Sequence, residues 1–231
     1  MNDKILGIIG GMGPEATVSF YKRIIRQTEV SCDQDHYRVI IDSNAKIPDR
    51  TSAILNGTES PLPALIETAN NLEKLDVVVA GIPCITAHYY MDELRKNTNI
   101  KIVSAIESVY HKLQSEFPEC KKVGILATTG TVKTQLFNQQ LKDIETIYPT
   151  SDSQDKKVMA AIYGEKGIKN VGVTQRSLNL LIAAGNELIE RGAEVIIAGC
   201  TEIGVILNQD HVNCPFIDPM DVLAEYMIKD E

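Results

Sequence analysis

Residues 5–13 read ILGIIGGMG, and residues 122–130 read KVGILATTG. Each stretch is a short, continuously apolar run that ends in small or polar residues, which is the pattern of a buried parallel strand leading into a helix. Gly7 of the first stretch aligns with Gly124 of the second, 117 residues later (124 − 7). This pair of stretches indicates that the chain uses one strand–helix plan twice.

Two further pairs of blocks follow in the same order. DVVVAGIPCIT matches EVIIAGCTE, with Cys84 over Cys200 at an offset of 116 (200 − 84) once two residues are skipped. KIVSAIESV matches PFIDPMDVL, with Val103 over Ile217 at an offset of 114 (217 − 103). Three blocks at a nearly constant offset predict two similar halves. A chance likeness between two α/β segments is the alternative.

Val- and Ile-rich runs alternate with helical patterns along the whole chain. This alternation predicts an α/β protein with mostly parallel sheets covered on both faces. We expect a first domain at residues 1–104 plus 218–231 and a second at residues 105–217, although the amphipathic last segment could return to either half. The predicted strands are 5–9, 39–41, 77–80, 102–103, 123–126, 195–198 and 216–217.

The composition narrows the class of protein. The 231 residues are 44% apolar, and the net charge of -8 comes with scattered lysines and arginines, which argues against a nucleic-acid partner. No basic start followed by a long apolar run is present, so we expect no membrane partner and a cytoplasmic location. An odd number of cysteines without a C-x-x-C pair predicts free thiols rather than disulfides or a zinc site. The cysteines are Cys32, Cys84, Cys120, Cys200 and Cys214.

Two of these cysteines have matching positions in the two halves. Cys84 and Cys200 each follow a predicted strand and precede a helical pattern. The carboxyl ends of parallel strands are where α/β sheets bind ligands. Helix N-termini there favour anions and lower the pKa of a thiol. The alternative is that both cysteines are small buried apolar residues.

A pair of opposed thiols suits one class of reaction. A thiolate removes a proton from one face of a carbon, a thiol returns a proton to the other face, and the stereocentre is inverted. Charge that develops on a neighbouring carboxylate needs preorganised donors. Two helix N-termini and the hydroxyls of Thr86, Thr128 and Thr201 could supply them.

Six blocks together carry a family resemblance: GGMGPEAT, IPDRT, PCITAH, GILATTGT, IYGEKGIK and AGCTEI, which span most of the chain. In these blocks the chain resembles the aspartate/glutamate racemases that work without pyridoxal phosphate. The resemblance implies two similar α/β domains related by a pseudo-twofold axis, with the active site in the cleft between them. It also implies homodimers, a small acidic amino acid as substrate, and no organic cofactor or metal. The implied reaction interconverts L- and D-aspartate, or glutamate, by α-proton transfer between Cys84 and Cys200.

The resemblance also implies roles for the other site residues. Arg50 and Lys169 look like the cations that hold the second carboxylate of the substrate, as a planar fork and a point charge; a solvated surface charge is the alternative for each. Asp49 and Glu202 look like carboxylates that orient or poise the thiols. The residues implied to line the amino-acid site are Met12, Thr86, Thr128 and Thr201.

One position departs from the family pattern. Where the family usually has Asn after the first cysteine, this chain has Ile85, which removes an amide that would contact the substrate. Losing a hydrogen bond to a charged ligand costs about 1.5–3 kcal/mol. The alternative functions are therefore a related lyase or isomerase of the same fold, or a member that binds an acidic amino acid without turnover. The presence of two thiols favours racemisation.

Residues 11–16 also fit the G-x-G-x-x-A form of the dinucleotide-binding fingerprint. That fingerprint needs an acidic residue about 20 residues further on, at the end of the second strand. Glu29, Asp33 and Asp35 precede that strand, and Asp42 lies about 30 residues on. The spacing argues against NAD.

A metal site is a further alternative for the first cysteine. Cys84 and His88 are four residues apart and could share a helix face, with Cys200 as a third ligand. A histidine in this position is more often a surface or hydrogen-bonding residue of its helix, which is the reading we favour.

Overall fold

The computed structural model describes residues 4–229, which form two compact units. Unit 1 holds the described residues up to Ser108 and from Met220 on, and unit 2 is Val109–Pro219. No helix within residues 4–229 is long and apolar enough to cross a membrane.

Unit 1 is built on a four-stranded parallel sheet with the order β2-β1-β3-β4. The first strand is central and buried, which agrees with its unbroken apolar sequence. The strands are β1 (Ile5–Gly10), β2 (Arg38–Ser43), β3 (Val79–Gly81) and β4 (Lys101–Val103).

The first helix of unit 1 packs on the rest of the unit with one apolar face. In the first helix, Pro14 occupies the first turn, where its missing N–H costs nothing, and Phe20 and Ile24 are buried on one face. The helices are α1 (Pro14–Gln27), α2 (Arg50–Asn56), α3 (Leu62–Glu73), α4 (Met91–Lys96) and α5 (Ala105–Glu116), which continues into unit 2 from Val109 on, with short 3-10 helices at Asp33–Asp35 and Ile85–Tyr90.

Unit 2 has a four-stranded parallel sheet with the order β6-β5-β7-β8. In both units the second strand is at one edge and the first strand lies between the second and the third. The two sheets therefore share one topology, and the predicted α/β class is confirmed. The strands are β5 (Lys122–Ala127), β6 (Glu145–Ile147), β7 (Val195–Gly199) and β8 (Phe216–Ile217).

One long helix of unit 2 anchors a shorter helical segment that contains a π-helical turn at Gln154–Met159. Glu187 on the long helix accepts hydrogen bonds from the Ser153 hydroxyl, from the Thr150 N–H at 2.8 Å and from Lys157 at 3.3 Å. The helices are α6 (Thr129–Lys133), α7 (Leu136–Gln140), α8 (Ser151–Ser153), α9 (Ala160–Ile162), α10 (Ile168–Val171), α11 (Gln175–Glu190) and α12 (Thr201–Ile206), with a 3-10 helix at Gln209–His211.

The structure differs most from the strand prediction in two places. β6 was not predicted, because Glu145–Ile147 has only one apolar residue. The strand predicted at 77–80 lies further along the chain, at Val79–Gly81. The amphipathic last segment, which was expected in the first domain as residues 218–231, forms α13 (Pro219–Lys229), and its residues from Met220 on lie in unit 1.

At both glycines that align in the repeat, the neighbouring side chains leave no space for a Cβ atom. A Cβ on Gly7 would lie 2.6 Å from Val77 Cγ1, and a Cβ on Gly124 would lie 2.8 Å from Ile196 Cδ1. Both central strands therefore need a residue without a side chain at this position to pack against their neighbours. The repeat extends from the sequence to the packing of each sheet.

Candidate active site

Cys84 lies three residues beyond β3 and occupies the N-cap position of the 3-10 helix Ile85–Tyr90. Its backbone is held on both sides: the N–H donates to Ile82 O at 2.7 Å, and the carbonyl accepts from the Ala87 N–H at 3.2 Å. The residue is 7% exposed and belongs to the hydrophobic core of unit 1. Cys84 is thus both a core residue and a residue at the carboxyl end of the sheet.

Arg50 connects two loops near the carboxyl end of the first sheet. Its guanidinium donates to Met12 O at 3.3 Å, to Pro48 O at 3.0 Å and to Ile47 O at 3.3 Å. The side chain is buried, so the alternative of a solvated surface charge is wrong for this residue. Two predicted site residues, Arg50 and Met12, are therefore in direct contact.

The two remaining polar residues predicted in unit 1 lie at helix starts. Asp49 Oδ1 accepts a hydrogen bond from the Ser52 N–H at 2.7 Å and caps α2. This bond gives Asp49 a structural role in addition to any role toward the thiol. Thr86 is buried in the same 3-10 turn as Cys84.

Cys200 follows β7 directly and occupies the N-cap position of α12. Its thiol donates to Glu202 Oε2 at 2.9 Å, and the Thr201 hydroxyl donates to the same oxygen at 3.1 Å. Lys169 Nζ lies 2.5 Å from Glu202 Oε1 and 5.4 Å from the ring centroid of Tyr163. Four predicted site residues of unit 2 thus form one hydrogen-bonded cluster.

The pKa values in this cluster follow from burial and mutual charge. Burial and the negative charge of Glu202 raise the pKa of the Cys200 thiol well above its usual value. Burial alone would raise the pKa of Glu202, but the Lys169 charge and the bonds from Cys200 and Lys169 bring it below its usual value. Burial likewise opposes the charge of Lys169, yet Glu202 raises the Lys169 pKa. The cluster therefore contains a neutral thiol, a carboxylate and an ammonium group.

This result corrects one expectation from the sequence. A helix N-terminus was expected to lower the pKa of each thiol, and for Cys200 this is wrong, because burial and the Glu202 carboxylate outweigh the effect of the short helix α12. The Cys200 thiol therefore keeps its proton at neutral pH.

Thr128 caps α6 at the end of β5, where its hydroxyl oxygen accepts from the Thr131 N–H at 3.3 Å. Sequence reasoning missed the neighbour that holds this loop, Gln154 in the π-helical turn. Its side-chain amide donates to Ala127 O at 2.9 Å and to the Thr129 hydroxyl at 3.3 Å, on either side of Thr128. Nothing in the local sequence around Gln154 indicates this contact, because it joins residues 25 or more positions apart.

His88 is buried, with 6% of its surface exposed, and both ring nitrogens have protein partners. Nδ1 lies 3.0 Å from Cys84 O, and Nε2 accepts from the Ala105 N–H at 3.0 Å. Burial lowers the pKa of His88 to about 4, so the ring is neutral at pH 7. Neither nitrogen is available to a metal, and His88 is the hydrogen-bonding residue that the sequence favoured. Within residues 4–229 no group of three His, Cys, Asp or Glu side chains could hold a metal ion.

Two α/β units of one topology, each with a cysteine after its third strand, are the features to compare with known proteins. The comparison identifies the family of this chain. The family model of Asp/Glu/hydantoin racemases matches residues 9–227. The chain belongs to this family and is an isomerase that acts on amino acids. The family predicted from the sequence blocks is confirmed.

Two relatives match over nearly their whole length. The broad specificity amino-acid racemase RacX of Bacillus subtilis is 26% identical over 225 residues, covering 96% of this chain and 95% of RacX. The solved structure of Picrophilus torridus aspartate racemase is 29% identical, covers 98% of this chain and 93% of that chain, and superposes with a TM-score of 0.85.

A more distant neighbour shares the fold. Glutamate racemase from Francisella tularensis, solved in complex with D-glutamate, has a TM-score of 0.67 and 15% identity, covering 99% of this chain and 81% of that chain.

Proposed function

We propose that this racemase interconverts L- and D-aspartate by two-base α-proton transfer between Cys84 and Cys200, with glutamate as the second candidate substrate. The observation that carries the proposal is the matched pair of cysteines, each a cap at the carboxyl end of a strand in sheets of one topology. The similarity to an aspartate racemase structure at 29% identity supports the choice of substrate.

In the proposed reaction, one thiolate removes the α-proton while the opposite thiol donates one. Cys200 begins as the donor, because its proton is already shared with the ionised Glu202. In the direction of turnover in which Cys200 donates, Cys84 starts as the thiolate and takes the α-proton of the substrate. The reverse direction exchanges the two roles, and Glu202 then stabilises the return of the proton to Cys200.

The two buried or half-buried cations are proposed to hold the second carboxylate of the substrate. Arg50 keeps a fixed orientation through its bonds to Met12 O and Pro48 O, which suits bidentate recognition. Lys169 is paired with Glu202, so a substrate carboxylate joins an existing ion pair and shares the ammonium group. Backbone N–H groups near Thr86, Thr128 and Thr201 stabilise the charge that develops on the α-carboxylate.

Ile85 bears on the range of substrates. It is buried beside Cys84 in the chain and offers no hydrogen bond from its side chain. Together with the similarity to a broad specificity racemase, this favours testing a panel of amino acids rather than aspartate alone. We propose a homodimer with no cofactor as the active form, which light scattering and assays in the presence of a chelator would check.

The test is incubation of each enantiomer of a panel of amino acids in deuterated water, following α-proton exchange and optical rotation. Cys84→Ala and Cys200→Ala should each lower racemisation of aspartate by about 10²- to 10⁴-fold. Cys120→Ala is the matched control, since Cys120 is equally buried in unit 2 but precedes β5 at the amino end of the sheet.

Each outcome is decisive for one part of the proposal. If the parent protein exchanges no α-proton of aspartate or glutamate, the proposed substrates are wrong. If either cysteine variant keeps full activity, the two-thiol mechanism is wrong for any substrate.

A further inference from the structure

We propose that His88 is a positioning residue for Cys84, fixing the backbone of the thiol-bearing residue through its carbonyl group; the catalytic part of this inference rests on the proposed function. His88 is four residues beyond Cys84 and is buried in the same unit.

The backbone of α5 sets the tautomer of His88. Ala105 is the first residue of α5, and its N–H donates to His88 Nε2 at 3.0 Å. A ring nitrogen that accepts an N–H carries a lone pair, so the proton of the neutral ring is assigned to Nδ1. Nδ1 therefore donates to Cys84 O, at 3.0 Å. A helix-start N–H, which has no partner within its own helix, thus selects the form of the imidazole that holds Cys84.

The bond from His88 completes the restraint on Cys84. The Cys84 N–H is bonded to Ile82 O at 2.7 Å, and the Cys84 carbonyl accepts from both Ala87 N and His88 Nδ1. With both peptide groups fixed, the direction of the Cα–Cβ bond is fixed, and the thiol keeps only rotation about that bond. A proton transfer in which a misplacement of 1 Å can cost about 10²-fold needs this kind of restraint.

A second tie to the same region provides a control. Arg95 of α4 donates to Ile102 O at 2.9 Å and pairs with both Glu107 carboxylate oxygens at 3.0 Å. Arg95 thus joins the segment after Cys84 to β4 and α5, while His88 joins it to α5, and the bonds of Arg95 go to Ile102 and Glu107 rather than to Cys84. Loss of this tie loosens the same segment without removing the bond to the Cys84 carbonyl.

Unit 2 holds no imidazole at the matching position. The residue four positions beyond Cys200 is Gly204, and a Cβ there would lie 2.1 Å from Asp218 Oδ2. The carboxyl group of Asp218 occupies the space next to the helix that a side chain would need. A change at His88 is therefore expected to alter Cys84 and to leave Cys200 unchanged.

The experiment separates the two bonds of His88. His88→Asn keeps a donor near the place of Nδ1, and His88→Gln keeps an acceptor near the place of Nε2. His88→Phe removes both bonds and keeps the ring, and Arg95→Met is the control for loosening of the segment. Folding is checked by circular dichroism. The rate of alkylation by iodoacetamide is measured separately at Cys84 and Cys200 by peptide mass spectrometry, which needs no turnover.

We expect His88→Gln to change the alkylation rate of Cys84 and His88→Asn to restore the parent rate, with Cys200 unaffected throughout. For racemisation of aspartate, kcat should fall about tenfold in His88→Gln, with a much smaller change in KM. The primary deuterium isotope effect should rise for the enantiomer whose α-proton Cys84 removes. A residue that only stabilises the unit would give no such difference between the two enantiomers.

The inference is overturned if His88→Asn and His88→Gln give the same alkylation rate at Cys84. It is also overturned if Arg95→Met changes that rate as much as His88→Gln does. If His88→Phe fails to fold, the comparison of Asn with Gln decides. If neither Asn nor Gln folds, His88 is a stability residue only and the inference is wrong. A parent protein that racemises neither aspartate nor glutamate would overturn the proposed function, while the alkylation series would still decide the role of His88.

Discussion

The two cysteines have matching places in sheets of one topology, yet their surroundings differ in kind. Cys84 is held through its backbone, by a neutral imidazole and by the 3-10 turn that it caps. The Cys200 carbonyl also accepts from its own helical turn, at 3.0 Å from the Ile203 N–H, but its further restraint is on the thiol, which donates to the Glu202 carboxylate that Lys169 keeps ionised. The comparison teaches that a repeat determines where the backbone presents a thiol, whereas the side chains added to each half determine its protonation.

The largest expected effect concerns the stability of unit 1 as the pH falls. The pKa of His88 is about 4 in the folded protein and 6.5 when the residue is unfolded, so between these values the unfolded chain binds more protons. The free energy of unfolding should therefore decrease as the pH falls from 6.5 to 4, by about 3 kcal/mol in all. Urea unfolding of the parent and of His88→Asn across this range measures the difference. Parallel curves for the two proteins would contradict the prediction.

The second effect concerns the charge next to Cys200. Glu202→Gln removes the carboxylate that accepts from the thiol, so the Cys200 pKa should fall and kcat should drop about tenfold to a hundredfold. The pH dependence of Cys200 alkylation and the racemisation rate measure the two results. Glu194→Gln is the matched control, because Glu194 accepts from Lys121 N and Lys122 N at the opposite end of the same sheet. An unchanged pH dependence of Cys200 alkylation in Glu202→Gln would show that Glu202 does not raise the pKa of the Cys200 thiol.

The smallest effect concerns Gly204, the residue of unit 2 that corresponds in position to His88 of unit 1. Gly204→Ala should destabilise unit 2 by roughly 1–3 kcal/mol, because the new Cβ would overlap the Asp218 carboxyl group. Gly185→Ala in α11 is the control, since a Cβ there would lie at an ordinary 3.6 Å from Val212 Cγ1. That variant should be about 0.5–1 kcal/mol more stable than the parent. Thermal unfolding of both variants would contradict the argument if their stabilities were equal.

Much of the fold could be predicted because the repeated blocks of sequence are strongly apolar and form the central strands. The strands that begin at Ile5 and Lys122 are central and buried, and continuous runs of Val, Ile and Leu mark such strands. Edge strands carry a weaker signal. Glu145–Ile147 lies at the edge of its sheet and has only one apolar residue, so it was not predicted.

The site could be predicted only as far as residue types along the chain allow. The cluster of Cys200, Glu202 and Lys169 was foreseen as a set of residues, but not its hydrogen bonds or the raised pKa of the thiol. Those depend on burial and on distances across 33 residues of chain. The roles of His88 and Gln154 likewise depend on backbone groups distant in sequence.

The overlap between position 204 and Asp218 has a consequence for how the two halves can diverge. A side chain at 204 and the carboxyl group at 218 compete for one volume, so their substitutions are epistatic. A histidine could enter at 204, to match the first half, only after Asp218 had been shortened. The order of the two changes is therefore constrained: an evolutionary path that begins at residue 204 passes through a destabilised intermediate, and one that begins at residue 218 avoids this clash.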